Sequence, residues 1–114
     1  MNLELEMTKK ELAKFEKDME RFGKIQNENN FKTVWCIDEV EDINETSFLS
    51  ADYLTDGIHD VKIELPNKEL TYKELWKAAD ELYNLIGDTE HRFIEAFEVK
   101  EINGKTQLEV FFGS

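Results

Sequence analysis

The sequence predicts an α+β domain: a four- to five-stranded, mainly antiparallel sheet with two helices packed on one face and a C-terminal β-hairpin. Three observations favour this class. Two segments combine a capping box with apolar residues at helical spacing, and the last third of the chain alternates apolar and polar residues around an Asn-Gly pair. A length of 114 residues, 40% of them hydrophobic, is enough for one core. We therefore expect a single domain over residues 1–114.

The first helix is predicted to begin at Thr8, because Thr8 and Glu11 have the spacing of a capping box. We expect it to end between Gly23 and Gln26. Its apolar stripe recurs at steps of three and four residues and consists of Leu12, Phe15, Met19 and Phe22. This spacing also fits a coiled-coil seam, but two heptads are too few, which favours packing on the protein's own sheet. Residues 1–7 alternate in polarity, which suits a short edge strand or a frayed lead-in.

The middle of the chain gives weaker signals. Residues 31–40 are predicted to form a strand, and apolar residues on both of its sides favour a central position in the sheet. Cys36 lies in this strand without a neighbouring His, Lys or Arg, so we expect a buried, unreactive thiol. Residues 43–59 follow no period of 2 or 3.6, and only a short strand at 47–50 is indicated there. A further short strand is predicted at 61–65.

The second helix is the best specified element. Thr71 and Glu74 form a capping box at its start, and Gly87 supplies the residue without a Cβ that a left-handed cap favours at its end. The predicted helix therefore covers residues 72–86. Its apolar face consists of Leu75, Ala78, Ala79, Leu82, Leu85 and Ile86.

The C-terminal hairpin is predicted from residues 91–101 and 105–112, joined by a type I′ turn at Asn103 and Gly104. Counting outward from the turn gives a register and a core face. The register pairs Val99 with Leu108, Phe97 with Val110, and Glu95 with Phe112. The core face consists of Phe93, Phe97, Val99, Leu108, Val110 and Phe112.

One cross-strand pair in this register joins like charges. Glu98 lies opposite Glu109, and such a pair is mildly destabilising in a sheet. Either the charge serves a function, or a lysine nearby, such as Lys100, offsets it. The second interpretation is the simpler one.

Charge excludes several kinds of partner. The formal net charge is −12 and the pI about 4.5, so the surface repels nucleic acid and anionic lipid and attracts basic proteins or cations. Residues 31–61 carry eight acids and one base, Lys32, and so hold more than half of the excess. The single Cys and the lack of an apolar signal region predict a cytoplasmic protein, and no apolar run is long enough to predict a membrane span.

The sequence gives no positive sign of catalysis. Two groups of side chains have atoms that could bind a cation, but neither has the spacing of a zinc helix or a calcium loop. They are Asp56, His59 and Asp60, and Asp88, Glu90 and His91. The glycines are scattered singly, which argues against a phosphate-binding loop, and no serine lies in a G-x-S-x-G turn. We predict no enzyme activity, cofactor or metal site; the alternatives are a cation-dependent enzyme that uses these groups and an oligomeric scaffold.

The predicted function is docking on a basic protein surface, such as a nucleic-acid-binding groove, by a monomer or small homo-oligomer. Carboxylates can take the place of phosphates in such a groove. The predicted acidic face consists of Asp38, Glu39, Glu41, Asp42, Glu45, Asp52 and Asp56. An exposed aromatic side chain would make this contact specific, and the candidates are Trp35, Tyr53 and Phe48. The opposing interpretation is an ordinary solvated face over an aromatic core.

In size, acidity and lack of catalytic motifs, the chain resembles the small inhibitor proteins of phages and mobile elements. These include nucleic-acid mimics that block restriction or CRISPR nucleases. The resemblance implies an inhibitor function. It is one of general character, and because no family motif carries it, it transfers no functional residues.

Overall fold

The computed structural model describes residues 9–114. The predicted cap at Thr8 and the alternating residues 1–7 lie outside the described residues. The chain divides into two compact units, the first ending at Asn30 and the second covering residues 31–114. The described residues form two helices and a five-stranded mixed sheet, which confirms the predicted α+β class. In this part of the chain, no helix has the length and apolar character needed to cross a membrane.

Helix α1 covers Lys9–Asn29, in the first unit. It continues through Gly23 and is therefore longer than predicted. It ends where Asn30 takes a left-handed conformation, with φ 55°. The side-chain amide of Asn29 donates a hydrogen bond to the carbonyl of Ile25 (2.8 Å) and so satisfies one of the last free acceptors of the helix.

The five strands are β1 (Val34–Trp35), β2 (Tyr53–Thr55), β3 (Ile63–Glu64), β4 (Phe93–Ile102) and β5 (Lys105–Gly113). Their order across the sheet is β1-β4-β5-β2-β3. The β4–β5 and β2–β3 pairs are antiparallel, whereas the β1–β4 and β2–β5 pairs are parallel. The sheet is mixed rather than mainly antiparallel, because strands distant in sequence join the hairpin at both of its edges.

The hairpin has the predicted turn and most of the predicted register. Asn103 and Gly104 both have positive φ, 53° and 77°, as a type I′ turn requires. Near the turn the observed pairs match those predicted: Ile102 with Lys105, Val99 with Leu108, and Phe97 with Val110. Glu98 also lies opposite Glu109, and Lys100 Nζ is 2.8 Å from Glu109 Oε2. The like-charge pair is therefore offset by a lysine.

The far end of the hairpin departs from the predicted register. A β-bulge between Ile94 and Ala96 leaves Glu95 out of the ladder, so that Phe112 pairs with Ile94 rather than with Glu95. Ile94 is fully buried, whereas Glu95 is exposed. The extra residue thus places an apolar side chain in the core where strict alternation would place a carboxylate.

Helix α2 covers Tyr72–Ile86, the predicted bounds. The amide of Glu74 donates to Thr71 Oγ1 (3.1 Å), and the amide of Thr71 donates to Glu74 Oε1 (2.9 Å), which completes the capping box. Gly87 ends the helix with φ 78°. Leu85 is exposed, and three buried residues were absent from the predicted face: Trp76, Asp80 and Tyr83.

The predicted strand at 31–40 is much shorter and lies at the edge of the sheet, not at its centre. Of residues 31–40, only Val34 and Trp35 (β1) pair with β4. The chain then turns, with the amide of Val40 donating to the carbonyl of Ile37 (3.4 Å). Trp35 is 3% exposed, and its ring packs against three others, at centroid distances of 5.6 Å from Trp76, 5.9 Å from Phe97 and 6.1 Å from Tyr72. This aromatic cluster joins the edge strand to α2.

The least regular stretch, residues 43–59, contains β2 and no strand at 47–50. Thr46 makes an isolated bridge with Thr71, at the cap of α2. Leu54 in β2 is fully buried and pairs with Leu108 of β5. β3 lies within the predicted range of 61–65 and completes the sheet beside β2.

Candidate functional site

The acidic segment, defined as residues 38–45, lies against the first turn of α2. The carbonyl of Ile43 accepts a hydrogen bond from the amide of Lys73 (2.7 Å), and the carbonyl of Glu45 accepts one from the amide of Tyr72 (3.1 Å). Val40 and Ile43 are buried. Main-chain hydrogen bonds and two apolar anchors thus hold the segment in place.

Five of the seven predicted acidic residues lie on this segment, and all five are exposed: Asp38, Glu39, Glu41, Asp42 and Glu45. Among residues 9–114, none of the five forms an ion pair. Asp42 also has a local role, since its Oδ1 accepts a hydrogen bond from the amide of Asn44 (2.9 Å). The segment therefore carries uncompensated negative charge on a fixed backbone.

Cys36 lies two residues before the acidic segment. Its side chain is exposed, which corrects the expectation of a buried thiol. Partial burial of the sulfur is the largest cause that raises its pKa, followed by the carboxylates of Glu95 and Asp38. The thiol therefore stays protonated at neutral pH and is a poor nucleophile.

Asp52 and Asp56 are not part of the exposed acidic surface. Asp52 is half-buried, and its Oδ2 accepts a hydrogen bond from the amide of Thr106 (2.9 Å), which aligns the start of β2 beside β5. Asp56 is buried at the other end of β2. The seven-residue face expected from the sequence is thus reduced to the acidic segment.

Phe48 is the exposed aromatic residue near the acidic segment. Its side chain is 77% exposed, and its backbone is left-handed, with φ 60°, a conformation that is strained for a bulky residue. Ser47 fixes this position, since its amide donates to the carbonyl of Leu70 (2.8 Å) and its Oγ accepts from the amide of Leu49 (3.2 Å). Of the other predicted anchors, Trp35 is core and Tyr53 is half-buried, with its hydroxyl bonded to Lys105.

Both predicted cation groups turn out to contain the same local structure, an Asp-x-x-His turn. Asp56 Oδ1 accepts from the amides of Ile58 (3.1 Å) and His59 (3.0 Å), and its Oδ2 lies 2.7 Å from His59 Nδ1. Asp88 does the same with residues 90 and 91, and its Oδ2 lies 2.9 Å from His91 Nδ1. Within the described part of the chain, no three His, Cys, Asp or Glu side chains are arranged to hold a metal ion.

Hydrogen bonding keeps both aspartates ionised. Burial alone would raise the pKa of Asp56, but hydrogen bonds from the His59 ring and from the amides of His59 and Ile58 outweigh it, and the pKa is lowered. The amides of Glu90 and His91, with a further hydrogen bond from the His91 ring, lower the pKa of Asp88 to about 2. Each carboxylate thus accepts the Nδ1 proton of its histidine.

The two Asp-x-x-His turns line one cavity of about 390 Å³. Its other walls come from the end of α2 and from β5, and the lining residues include Ile58, Tyr83, Ile86, Glu109, Val110, Phe111 and Phe112. The sequence predicted each Asp–His group separately, but it did not predict that the two groups lie at the same cavity. The repeated D-x-x-H spacing was the available signal, but only the tertiary fold shows that the two copies share a cavity.

Comparison of the chain with family models, with curated proteins and with solved structures finds no match.

Proposed function

We propose that this protein is a non-catalytic binding protein that docks on a basic protein surface through the acidic segment and Phe48. The observation that carries the proposal is the exposure of Phe48 three residues after an acidic segment whose five exposed carboxylates form no ion pair in residues 9–114. An exposed aromatic next to uncompensated charge is the composition expected of a binding surface rather than of an ordinary solvated face.

The two parts of this surface have different tasks. The carboxylates attract a basic partner from a distance and raise the association rate, an effect that salt weakens. Phe48 supplies apolar area, and burying such a side chain stabilises a complex by about 1.5–3 kcal/mol. The charge thus raises the association rate and orients the partner, whereas the aromatic ring slows dissociation of the complex.

The local structure holds both parts in position before a partner arrives. The acidic segment is bonded to the amides of Tyr72 and Lys73, and Phe48 follows directly on Ser47, which is bonded to Leu70. Because these contacts all surround the N-terminus of α2, the segment and the ring share one rigid support. Preorganisation of this kind lowers the entropic cost of binding.

The test is a quantitative pull-down from lysate of the native host, at low and high salt, with three baits of equal concentration. The first bait is the wild-type chain. The second, the segment variant, changes Asp38, Glu39, Glu41, Asp42 and Glu45 to Asn or Gln. The third, the matched variant, makes the same change in net charge at five exposed glutamates elsewhere: Glu64, Glu81, Glu90, Glu98 and Glu101.

We expect the wild-type chain and the matched variant to capture the same basic protein, and the segment variant to lose it. Phe48→Ala should also lose it at high salt, where the carboxylates are screened. Equal loss in the segment and matched variants would show that capture follows net charge alone, and the proposed surface would then be wrong.

A further inference from the structure

We propose that the outer edge of β4 is a self-association surface, on which a second copy of this chain adds its own β4 in antiparallel orientation. The two strands pair around Val99, so that two five-stranded sheets become one continuous sheet. This surface contains neither the acidic segment nor Phe48 and is independent of the docking proposal.

The open edge, defined as residues 97–101 of β4, is longer than either terminal strand of the sheet. The terminal strands β1 and β3 have two residues each, and edges of this kind are usually short. β1 pairs only with Phe93 and Ile94 of β4 and therefore leaves the rest of that side of β4 without a neighbouring strand in the described residues. Among residues 9–114, no main-chain hydrogen bond outside the β4–β5 ladder reaches the open edge.

The main-chain groups of three residues point outward from this edge. In a two-residue hairpin, the residues that flank the turn exchange both of their main-chain hydrogen bonds, and such pairs recur at every second position along the ladder. Here the flanking pair is Ile102 and Lys105, so the main-chain groups at positions 98, 100 and 102 face β5. Those of Phe97, Val99 and Glu101 therefore face away from β5 and are placed to pair with another strand.

Charge selects one antiparallel register for two such edges. When Val99 lies opposite Val99 of the second copy, Glu98 lies opposite Lys100 in both halves of the pair. A shift of two residues, the smallest that keeps the outward groups paired, places Glu98 opposite its own copy or Lys100 opposite its own copy. Opposite charges across strands are stabilising, and like charges are destabilising. The open edge is thus complementary to itself in the register centred on Val99.

The side chains of the open edge are accessible for these contacts. Glu98 and Lys100 are exposed, and Val99 is 45% exposed, so an apolar contact forms at the centre of the pair. Lys100 Nζ lies 2.8 Å from Glu109 Oε2 of its own hairpin, but an ammonium group has three donors and can contact a second carboxylate. Because the interface is one strand wide and each chain carries a net charge of −12, we expect a weak, reversible dimer.

The first test is sedimentation equilibrium of the full chain from micromolar to millimolar concentration. We expect the wild-type chain to dimerise as its concentration rises. Glu98→Lys should weaken dimerisation roughly tenfold or more, because it twice places a lysine opposite Lys100. The hairpin itself should tolerate this change, since a lysine at position 98 lies opposite Glu109. The control, Glu81→Lys, makes the same change in net charge on the exposed face of α2 and should dimerise at least as tightly as the wild-type chain.

A double variant separates the register from a general effect of charge. Glu98→Lys combined with Lys100→Glu keeps the net charge at −12 and again places opposite charges across the two strands. It should therefore restore most of the dimerisation that Glu98→Lys alone removes. A double variant that dimerises as weakly as Glu98→Lys would contradict the proposed register.

Amide hydrogen exchange locates the interface. The outward amides of Phe97, Val99 and Glu101 should become protected as the concentration rises, whereas those at positions 98 and 100 should be protected at every concentration by the β4–β5 ladder. A wild-type chain that stays monomeric at millimolar concentration would overturn the proposal. So would a dimer that leaves the three outward amides unprotected, or equal dimerisation of Glu98→Lys and Glu81→Lys.

Discussion

At the scale of single residues, Asp80 joins α2 to the chain ahead of β1. Its Oδ1 accepts hydrogen bonds from the amides of Lys32 (2.8 Å) and Thr33 (2.9 Å) and from Thr33 Oγ1 (2.8 Å). Thr33 Oγ1 in turn accepts from Trp76 Nε1 (3.1 Å). One buried carboxylate thus satisfies two amides and orients a hydroxyl that pairs with the core indole.

We expect Asp80→Ala to lower the free energy of unfolding by about 3 kcal/mol, because it leaves buried donors without an acceptor. Urea unfolding followed by circular dichroism measures this. The control is Glu81→Ala on the exposed face of the same helix, which should change stability by less than about 0.5 kcal/mol. Equal effects at the two positions would show that the network does not stabilise the fold.

The backbone of Phe48 gives a second prediction at this scale. A left-handed conformation costs a residue with a Cβ roughly 1–2 kcal/mol, and the exposed ring returns little of this in the free protein. We therefore expect Phe48→Gly to be about 1 kcal/mol more stable than Phe48→Ala in urea unfolding, while both variants lose partner binding at high salt. An alanine variant as stable as the glycine variant would contradict the strained backbone.

Asp88 links stability to pH. Its pKa falls from 3.8 in the unfolded chain to about 2 in the fold, so the unfolded state binds more protons between these values. The contribution of Asp88 to stability is therefore complete above about pH 5 and is lost as the pH falls towards 2. Urea unfolding at a series of pH values should show a shallower loss between pH 5 and 2 for Asp88→Asn than for Asp60→Asn, the control. Parallel curves for the two variants would mean that the turn at Asp88 is not formed.

At the scale of elements, the parts specified by adjacent residues were predicted best. The bounds of α2 follow from Thr71, Glu74 and Gly87, and the hairpin turn follows from Asn103 and Gly104, because caps and tight turns are local structures. Because each of these caps and turns depends on one or two residues, a single substitution can test it.

Gly87→Ala should lower the free energy of unfolding by about 1 kcal/mol. The cost is that of a left-handed backbone, since a Cβ at this position would meet no atom within 4 Å. Gly23→Ala is the matched control, because this glycine lies inside α1 without positive φ and also has open space around it. It should raise helicity rather than reduce stability. Loss of stability in both variants alike would show that the left-handed cap is not the cause.

The features that were missed, namely the short length and edge position of β1 and the whole of β2, depend on distant residues. Strands β1 and β2 are short, and each is held by a parallel partner far away in sequence, which no alternation of polarity within the strand reports. The bulge at Glu95 depends on whether Ile94 or Glu95 faces the core, a choice made by packing. The same limit applies to the site: the sequence showed the acidic segment, but the exposure of Phe48 and the shared cavity are tertiary facts.

At the scale of the whole second unit, the acidic segment and the cavity between the two Asp-x-x-His turns lie at opposite ends of α2. The acidic segment contacts its first turn, and the cavity is lined by Tyr83 and Ile86 from its last. A helix of 15 residues is about 22 Å long, so charge changes in one surface are screened from the other at physiological salt. We therefore expect Ile58→Lys and Ile58→Glu, which change the charge at the exposed wall of the cavity, to leave partner capture in the pull-down unchanged.

The most direct test of the docking proposal is the association rate of the purified partner, measured over a series of salt concentrations for the wild-type, segment and matched variants. We expect the wild-type and matched chains to associate fast at low salt, with rates that fall steeply as salt rises, and the segment variant to associate roughly tenfold more slowly at low salt. A wild-type rate that does not change with salt, or identical rates for the segment and matched variants, would contradict the claim that residues 38–45 guide a basic partner onto this protein.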